Sequence, residues 1–251
     1  MDNECRLCFK KSFEKLLEEK VNDYNIKCGL YDEINKYINS VNSEIATTEV
    51  ARGVYNIISE TLQITDLNKE NKLKSNDIVL KQYAEFKNLI FNSDNPFNVA
   101  LRLSIAGNIM DFAACPESFI DSEQYLKDII NEILKADFAI DDSQELENRI
   151  KFSNTILFLG DNAGEIVFDR LFLETINHPN VFYAVRGNPV INDVTVDDAG
   201  YVGIDKIAEV ISNGYDIPST IIEKASKEFK KNLSWRWSDN IKRPGEFRGP
   251  D

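Results

Sequence analysis

The chain has 251 residues, 43% of them hydrophobic, with a single histidine and a formal net charge of −13, which allows one large soluble domain or two small ones. That charge argues against a nucleic-acid partner, bound through clustered Lys and Arg, and against an anionic membrane surface; a phosphorylated small molecule stays open to it if a metal ion neutralises the site locally. No apolar run reaches the roughly 18–20 residues that span a bilayer, and the N-terminal residues lack a signal-peptide apolar region, so the expected location is the cytoplasm.

Residues 9 to 140 read as successive helices. Phe13, Leu16, Leu17 and Val21 share one face, as do Tyr31, Ile34, Tyr37, Ile38 and Val41, and then Val50, Val54, Ile57, Ile58 and Leu62. A charged stretch, 68–74, leads to a helix carrying Val79, Leu80, Tyr83, Phe86 and Leu89. Asp94-Asn95-Pro96 starts the next, with Leu101, Ile105, Asn108 and Phe112. Tyr125, Ile129, Ile130, Ile133 and Leu134 form a further stripe. These stripes are read as packed core. Asn108 and Asp111 lie three apart on one face; alone they would be a cap or a solvated pair. Cys5 and Cys8 have the spacing of half a zinc site. The alternatives are a structural metal, completed by Cys28 and Cys115, and helix-borne thiols without a ligand.

The pattern changes after residue 149. Ile156–Leu159 reads as a strand, Glu165 to Asn177 as a helix and Val181–Val185 as a second strand, a βαβ unit with a parallel sheet. Residues 204–211 suggest a short helix, and 217–220 an N-cap region leading into a helix over 221–229. From 232 onward, through Trp235, Trp237, Pro244 and Pro250, no periodicity remains and an irregular tail is expected. His178, before Pro179 in a helix-to-strand loop, reads as a surface residue, so a Ser-His-Asp or Cys-His mechanism has little to stand on.

Both strands run into small, amide and acidic residues: Gly160-Asp161-Asn162-Ala163-Gly164-Glu165 after the first, Arg186-Gly187-Asn188 and then Asn192-Asp193 after the second. Ligands of open α/β sheets bind beyond the carboxyl ends of the strands. Two carboxylates and an amide oxygen at one such edge make a hard site suited to Mg²⁺ or Mn²⁺, and Arg186 could grip a phosphate with two nitrogens. The bland reading of Asp161-Asn162 and of Asn192-Asp193 is a strand-to-helix turn with an N-cap, and that of Arg186 is a solvated cation. Glu165, Asp197 and Asp198 are nearby acids that the sequence does not rank.

Asp161-Asn162-Ala163-Gly164-Glu165 followed by the run from Arg186-Gly187-Asn188-Pro189 to Asn192-Asp193-Val194-Thr195 resembles the domain-of-unknown-function 89 family, the damage-control metal-dependent phosphatases, in its stand-alone prokaryotic branch. Cys5-Arg6-Leu7-Cys8 matches that branch's N-terminal CxxC, Gly107-Asn108-Ile109-Met110-Asp111 its GNxxD helix motif, and 66–76 its Asp-Pro-Tyr-Lys stretch, with Leu67-Asn68 in place of Pro-Tyr. The resemblance covers about residues 1–230. It implies an α/β fold: a mainly helical region over 1–149, a Rossmann-like parallel sheet with helices over 150–231, and a tail at 232–251. It further implies hydrolysis of small phosphorylated metabolites such as sugar phosphates. The metal ligands would be Asp161, Asn162 and Asp193, the two aspartates being catalytic, with a divalent Mn, Mg, Ni or Co ion. Arg186, Asn188, Asn108 and Asp111 would face the substrate.

The family's later strand and Lys-Gly-x-Gly-Asn motif are missing in frame. Back-translating 239–251 and reading one nucleotide later yields such a strand and motif with permitted codons, so a frameshift that removes the C-terminal part of the sheet is expected. Two rival functions are a Rossmann-like methyltransferase, although Gly160 to Gly164 is not GxGxxG, and a non-catalytic metal- or metabolite-binding remnant.

Overall fold

A computed structural model describes residues 3–42, 45–109, 123–218 and 220–237. The first half is helical: α1 (Asn3–Lys20), α2 (Tyr24–Ser40), α3 (Thr47–Leu62), α4 (Lys69–Lys81), α5 (Tyr83–Phe91), α6 (Pro96–Ile109), α7 (Glu123–Lys135) and α8 (Ser143–Phe152). Local chemistry sets several starts. The Asp23 carboxylate accepts the amides of Asn25 and Ile26 and caps α2. Asn95 accepts the amide of Asn98 in front of Pro96, whose fixed φ suits the first helical position.

The expected helix across 79–89 is two helices that break at Gln82. The charged stretch before it is already helical from Lys69, because α4 buries polar side chains as well as apolar ones: Lys72, Ser75, Asn76 and Val79 all face inward.

Beyond α8 come β1 (Ile156–Leu159), α9 (Glu165–Ile176), β2 (Val181–Val185), α10 (Val196–Val202), a 3₁₀ turn at Ile204–Lys206, β3 (Glu209–Ser212) and α11 (Lys227–Trp237). The strands form one parallel sheet in the order β1-β2-β3, with Ile156 opposite Val181 and Phe182 opposite Glu209. The α/β class read from the sequence is the observed one. The short helix expected at 204–211 is not formed. Its apolar residues suit either period, and the open edge of β2 gives Glu209–Ser212 a ladder to join.

The helix expected over 221–229 starts only at Lys227, where Ser226 Oγ accepts the Phe229 amide. It then continues to Trp237, so 232–237 is helical rather than irregular. The rest of the tail, 238–251, lies outside the described residues.

The largest apolar core packs α6 (Ala100, Leu103) and α9 (Ile166, Val167, Phe168, Leu171) against Tyr183 and Val185 of β2. Ala184, alternating with these, points to the other face, where Ile211, Ala225 and Phe229 cover it. A separate core within α1–α3 includes Leu17, Ile34, Ile38, Val54 and Ile58. The sheet is thus covered by helices on both faces, and its carboxyl edge is left to carry the loops.

Candidate active site

Because β1 and β2 are adjacent and parallel, the loops after them leave from the same edge. The first strand ends in close contact with the second: Gly160 N–H donates to the Ala184 carbonyl at 2.9 Å. A Cβ on Gly160 would stand 2.4 Å from the Tyr183 hydroxyl, which is why this turn takes glycine. The second loop then folds back on the first. Val194 N–H donates to the Asp161 carbonyl at 2.8 Å and Ala163 N–H to that of Asn192 at 3.0 Å, so that Asn162 and Asp193 face each other as an antiparallel pair.

Arg186 fills the space between them. Its Nε donates to Asp193 Oδ2 at 2.5 Å, its Nη2 to Asp161 Oδ1 at 2.8 Å and its Nη1 to Thr220 Oγ1 at 3.2 Å. The Arg186 side chain is 8% exposed and that of Asp193 6%, while Asp161 is 45% exposed and forms the open lip of the site. Arg186 is therefore not a solvated cation after a strand. Its three nitrogens are committed to protein oxygens, and a phosphate would have to compete with them. Asn162 Nδ2 reaches Asp161 Oδ2 at 3.2 Å and Glu165 Oε2 at 3.4 Å.

Gly187 is held by the end of β3: its N–H meets Asn213 Oδ1 at 3.1 Å and the Tyr215 carbonyl at 2.9 Å. A Cβ there would come within 2.7 Å of Tyr215 N and 2.8 Å of the Gly214 carbonyl carbon.

Carboxylates crowd this edge. Burial pushes Glu165 up to about 8, with Asp169 and Asp161 adding to the rise. Burial likewise pushes Asp169 up to about 7, against hydrogen bonds from Tyr183 and Ser104. Asp193 rises to about 6 because burial outweighs the opposing pull of Arg186. From the helical layer, Lys72 donates to Asp66 at 2.8 Å and Asp198 at 2.7 Å, and Asn76 Oδ1 accepts the Gly164 N–H at 2.7 Å.

Of the residues singled out in the sequence, Asp161, Asn162, Asp193 and Arg186 come together. Asn188 is exposed in the turn after β2. Asn108 stands in the last turn of α6, directly after Gly107, whose Cβ would lie 3.0 Å from Glu165 Cα; Asp111 lies outside the described residues. Cys8 and Cys28 are exposed free thiols, Cys5 stands in α1, and Cys115 lies outside the described residues. His178 sits beside Ser153 and Asn180, away from this edge.

Lys72, Asn76, Asn213 and Thr220 receive no site role from the sequence, although 66–76 resembles a family motif and 217–220 reads as a helix cap. A Lys and an Asn four apart on a face that also carries Val79 is the trace α4 left in the sequence. Asn213 directly follows β3, a strand that the sequence reads as part of a helix over 204–211, so its place at the sheet edge does not show.

Among the described residues no three His, Cys, Asp or Glu side chains are grouped to hold a metal ion. The candidate set is two carboxylates and one amide, all hard oxygen donors of the kind that divalent Mg²⁺ or Mn²⁺ takes. Carboxylates exceed the bonded cations here, since Lys72 is already shared by Asp66 and Asp198 while Arg186 answers both Asp161 and Asp193. A divalent ion suits that deficit.

Residues 1–239 match the model of the damage-control phosphatase ARMT1-like domain. An uncharacterized protein of Methanocaldococcus jannaschii is 33% identical over 238 residues, 92% of this chain and 76% of the relative. A damage-control phosphatase of Pyrococcus horikoshii is 30% identical over 230 residues, 90% of this chain and 77% of that protein, and one of Archaeoglobus fulgidus is 30% identical over 196 residues, 77% of this chain and 65% of that protein. Among solved structures, the crystal structure of a DUF89 family protein from Pyrococcus horikoshii superposes with a TM-score of 0.77 at 27% identity, covering 93% of this chain and 81% of that one.

Proposed function

The chain belongs to the damage-control phosphatase ARMT1-like domain family, and from that premise we propose that it is a metal-dependent phosphatase of small phosphorylated metabolites such as sugar phosphates. The observation that supports this reading best is the single guanidinium bridging Asp161 and Asp193 across the ends of two adjacent parallel strands. Folding has paired two acids 32 positions apart in sequence at an edge that ligands use. Two relatives are named damage-control phosphatases.

Asp161, Asn162 and Asp193 would hold a divalent ion (Mn, Mg, Ni or Co). When bound, such an ion polarises a phosphoryl group and lowers the pKa of a nearby water. The chain's own part is orientation. Arg186 sets the angle between the two aspartates and keeps them from repelling each other, and Asn162 turns its amide NH₂ toward Asp161 and Glu165. Asp161, half exposed at the lip, is the ligand through which the ion would face an incoming water and substrate. Asn188, in the adjacent turn, is the candidate for substrate contact, and Asn108 and Asp111 share that role by their match to the family motif. No described helix is long and apolar enough to cross a membrane, and a cytoplasmic enzyme working on diffusible substrates fits the acidic surface.

The test is hydrolysis of an aryl phosphate and a panel of sugar phosphates while Mn²⁺, Mg²⁺, Ni²⁺ and Co²⁺ are titrated. Release of phosphate should require metal and vanish in Asp161→Ala and Asp193→Ala. Equal turnover in EDTA would end the metal requirement, and binding of S-adenosylmethionine instead of phosphate esters would move the chain to the methyltransferase class.

A further inference from the structure

Helix α4 touches the first loop of the site directly and reaches the second through Asp198 of α10. Asn76, fully buried, accepts the Gly164 N–H at 2.7 Å, in the loop that carries Asp161 and Asn162. One turn earlier on the same face, Lys72 is 2% exposed and donates to Asp198 Oδ2 at 2.7 Å. That oxygen also accepts the Thr195 N–H and hydroxyl, both at 2.8 Å, and Thr195 stands two residues beyond Asp193.

We infer that α4 is a brace: Lys72 and Asn76 are positioning residues that fix the Asp161-Asn162 loop and the Asp193 loop in register with each other. For the metal this rests on the phosphatase reading above; for the loops it does not. The loops bond to one another, through Val194 to Asp161 and Ala163 to Asn192, and the second is also held at Gly187 by the end of β3, but none of these bonds reaches the helical layer. Contacts from α4 tie both to the helical layer.

Burying the ammonium is costly unless it is answered on both sides, and Asp66 supplies the second carboxylate at 2.8 Å. The Asn76 amide NH₂ is buried without a partner among the described residues. A leucine would fill the same space with no such penalty, so the bond to Gly164 is what favours asparagine here.

Amide hydrogen exchange in EDTA, followed by Mn²⁺ titration calorimetry, tests this on the full chain. Asn76→Leu should speed exchange over 160–166, and Lys72→Met over 193–199, each weakening Mn²⁺ binding by about 10-fold, the low end of what loss of a group bonded directly to a ligand costs. Val79→Ala, further along the same buried face, should lower global stability without singling out either loop. If Lys72→Met fails to fold, Lys72→Met/Asp66→Asn removes the buried ammonium together with one of the two carboxylates that answer it and carries the same test. Unchanged exchange in both loops overturns the brace, as does faster exchange with unaltered Mn²⁺ affinity. Faster exchange in a protein whose unaltered form binds no Mn²⁺ upholds the brace and overturns the metal reading.

Discussion

The Tyr183 hydroxyl donates to Asp169 Oδ2 at 2.7 Å, beneath the turn at Gly160. Asp169 is buried on α9 and takes a second bond from Ser104 of α6. This acid belongs to the layer that supports the site, and its environment favours the neutral form even though both hydrogen bonds favour the charged one.

That balance predicts a pH dependence of stability. Folding raises the Asp169 pKa from 3.8 to about 7, so between those values the native state binds a proton that the unfolded chain has released. Its contribution is complete below pH 3.8 and is lost as pH rises through about 7, at no more than about 1.4 kcal/mol per pH unit. Asp169→Asn keeps the shape and removes the titration. Urea unfolding in EDTA from pH 4.5 to 8 should show a flatter stability profile for the variant; a parallel profile would show that Asp169 titrates in the folded protein as it does unfolded.

A second prediction concerns Arg186. Removing its guanidinium leaves Asp193 buried and unanswered, and breaking a buried pair in this way costs about 3–5 kcal/mol. Arg186→Ala should therefore melt well below the unaltered chain in EDTA, and Arg186→Lys should recover only part of the loss, since an ammonium cannot reach Asp161, Asp193 and Thr220 together. Added Mn²⁺ should narrow the gap by replacing the missing positive charge. An Arg186→Ala melting temperature equal to that of the unaltered chain would remove the electrostatic role given to it.

Much of this arrangement was legible beforehand, and the exceptions share a cause. Ile156–Leu159 and Val181–Val185 stood out because each is a short apolar run stopped by glycine and polar residues, which fixes both strand and loop. Glu209–Ser212 escaped notice: its period is ambiguous over so few residues, and only the edge of β2 decides it. The segment 66–76 stood out as a motif, but the roles of Lys72 and Asn76 within it did not, for a related reason. A charged residue in a helix is read as solvent-facing unless its partner is known, and Asp198 lies 126 positions away.

Two glycines should respond to alanine with opposite signs. Gly187 meets backbone atoms of Gly214 and Tyr215 that have no flexible end to yield, so Gly187→Ala should destabilise by about 1–3 kcal/mol and shift the turn beside Arg186. Gly29 stands inside α2 with nothing within 4 Å of its virtual Cβ, and Gly29→Ala should stabilise by about 0.5–1 kcal/mol through helix propensity. Denaturant midpoints of the two variants, moving in opposite directions from the parent, check both. Equal shifts would mean that the close approach at Gly187 does not constrain the fold.

Ile191 has φ 48°, in the left-handed region, two residues before Asp193. A β-branched side chain is poorly suited to that conformation, which costs an L-residue roughly 1–2 kcal/mol. Strain of this kind persists where surrounding structure over-determines it, and here the neighbouring Val190 carbonyl accepts the Asp193 N–H at 3.1 Å, closing the turn that presents the carboxylate. Asparagine tolerates the left-handed region, so Ile191→Asn should raise stability by about 0.5–1 kcal/mol, less whatever apolar contact the half-buried isoleucine makes. Mn²⁺ affinity should hold, because the turn is kept and only its strain is relieved. A variant that loses stability would show that Ile191 is retained for packing, whereas one that gains stability but loses Mn²⁺ binding would show that the strain itself helps to aim Asp193.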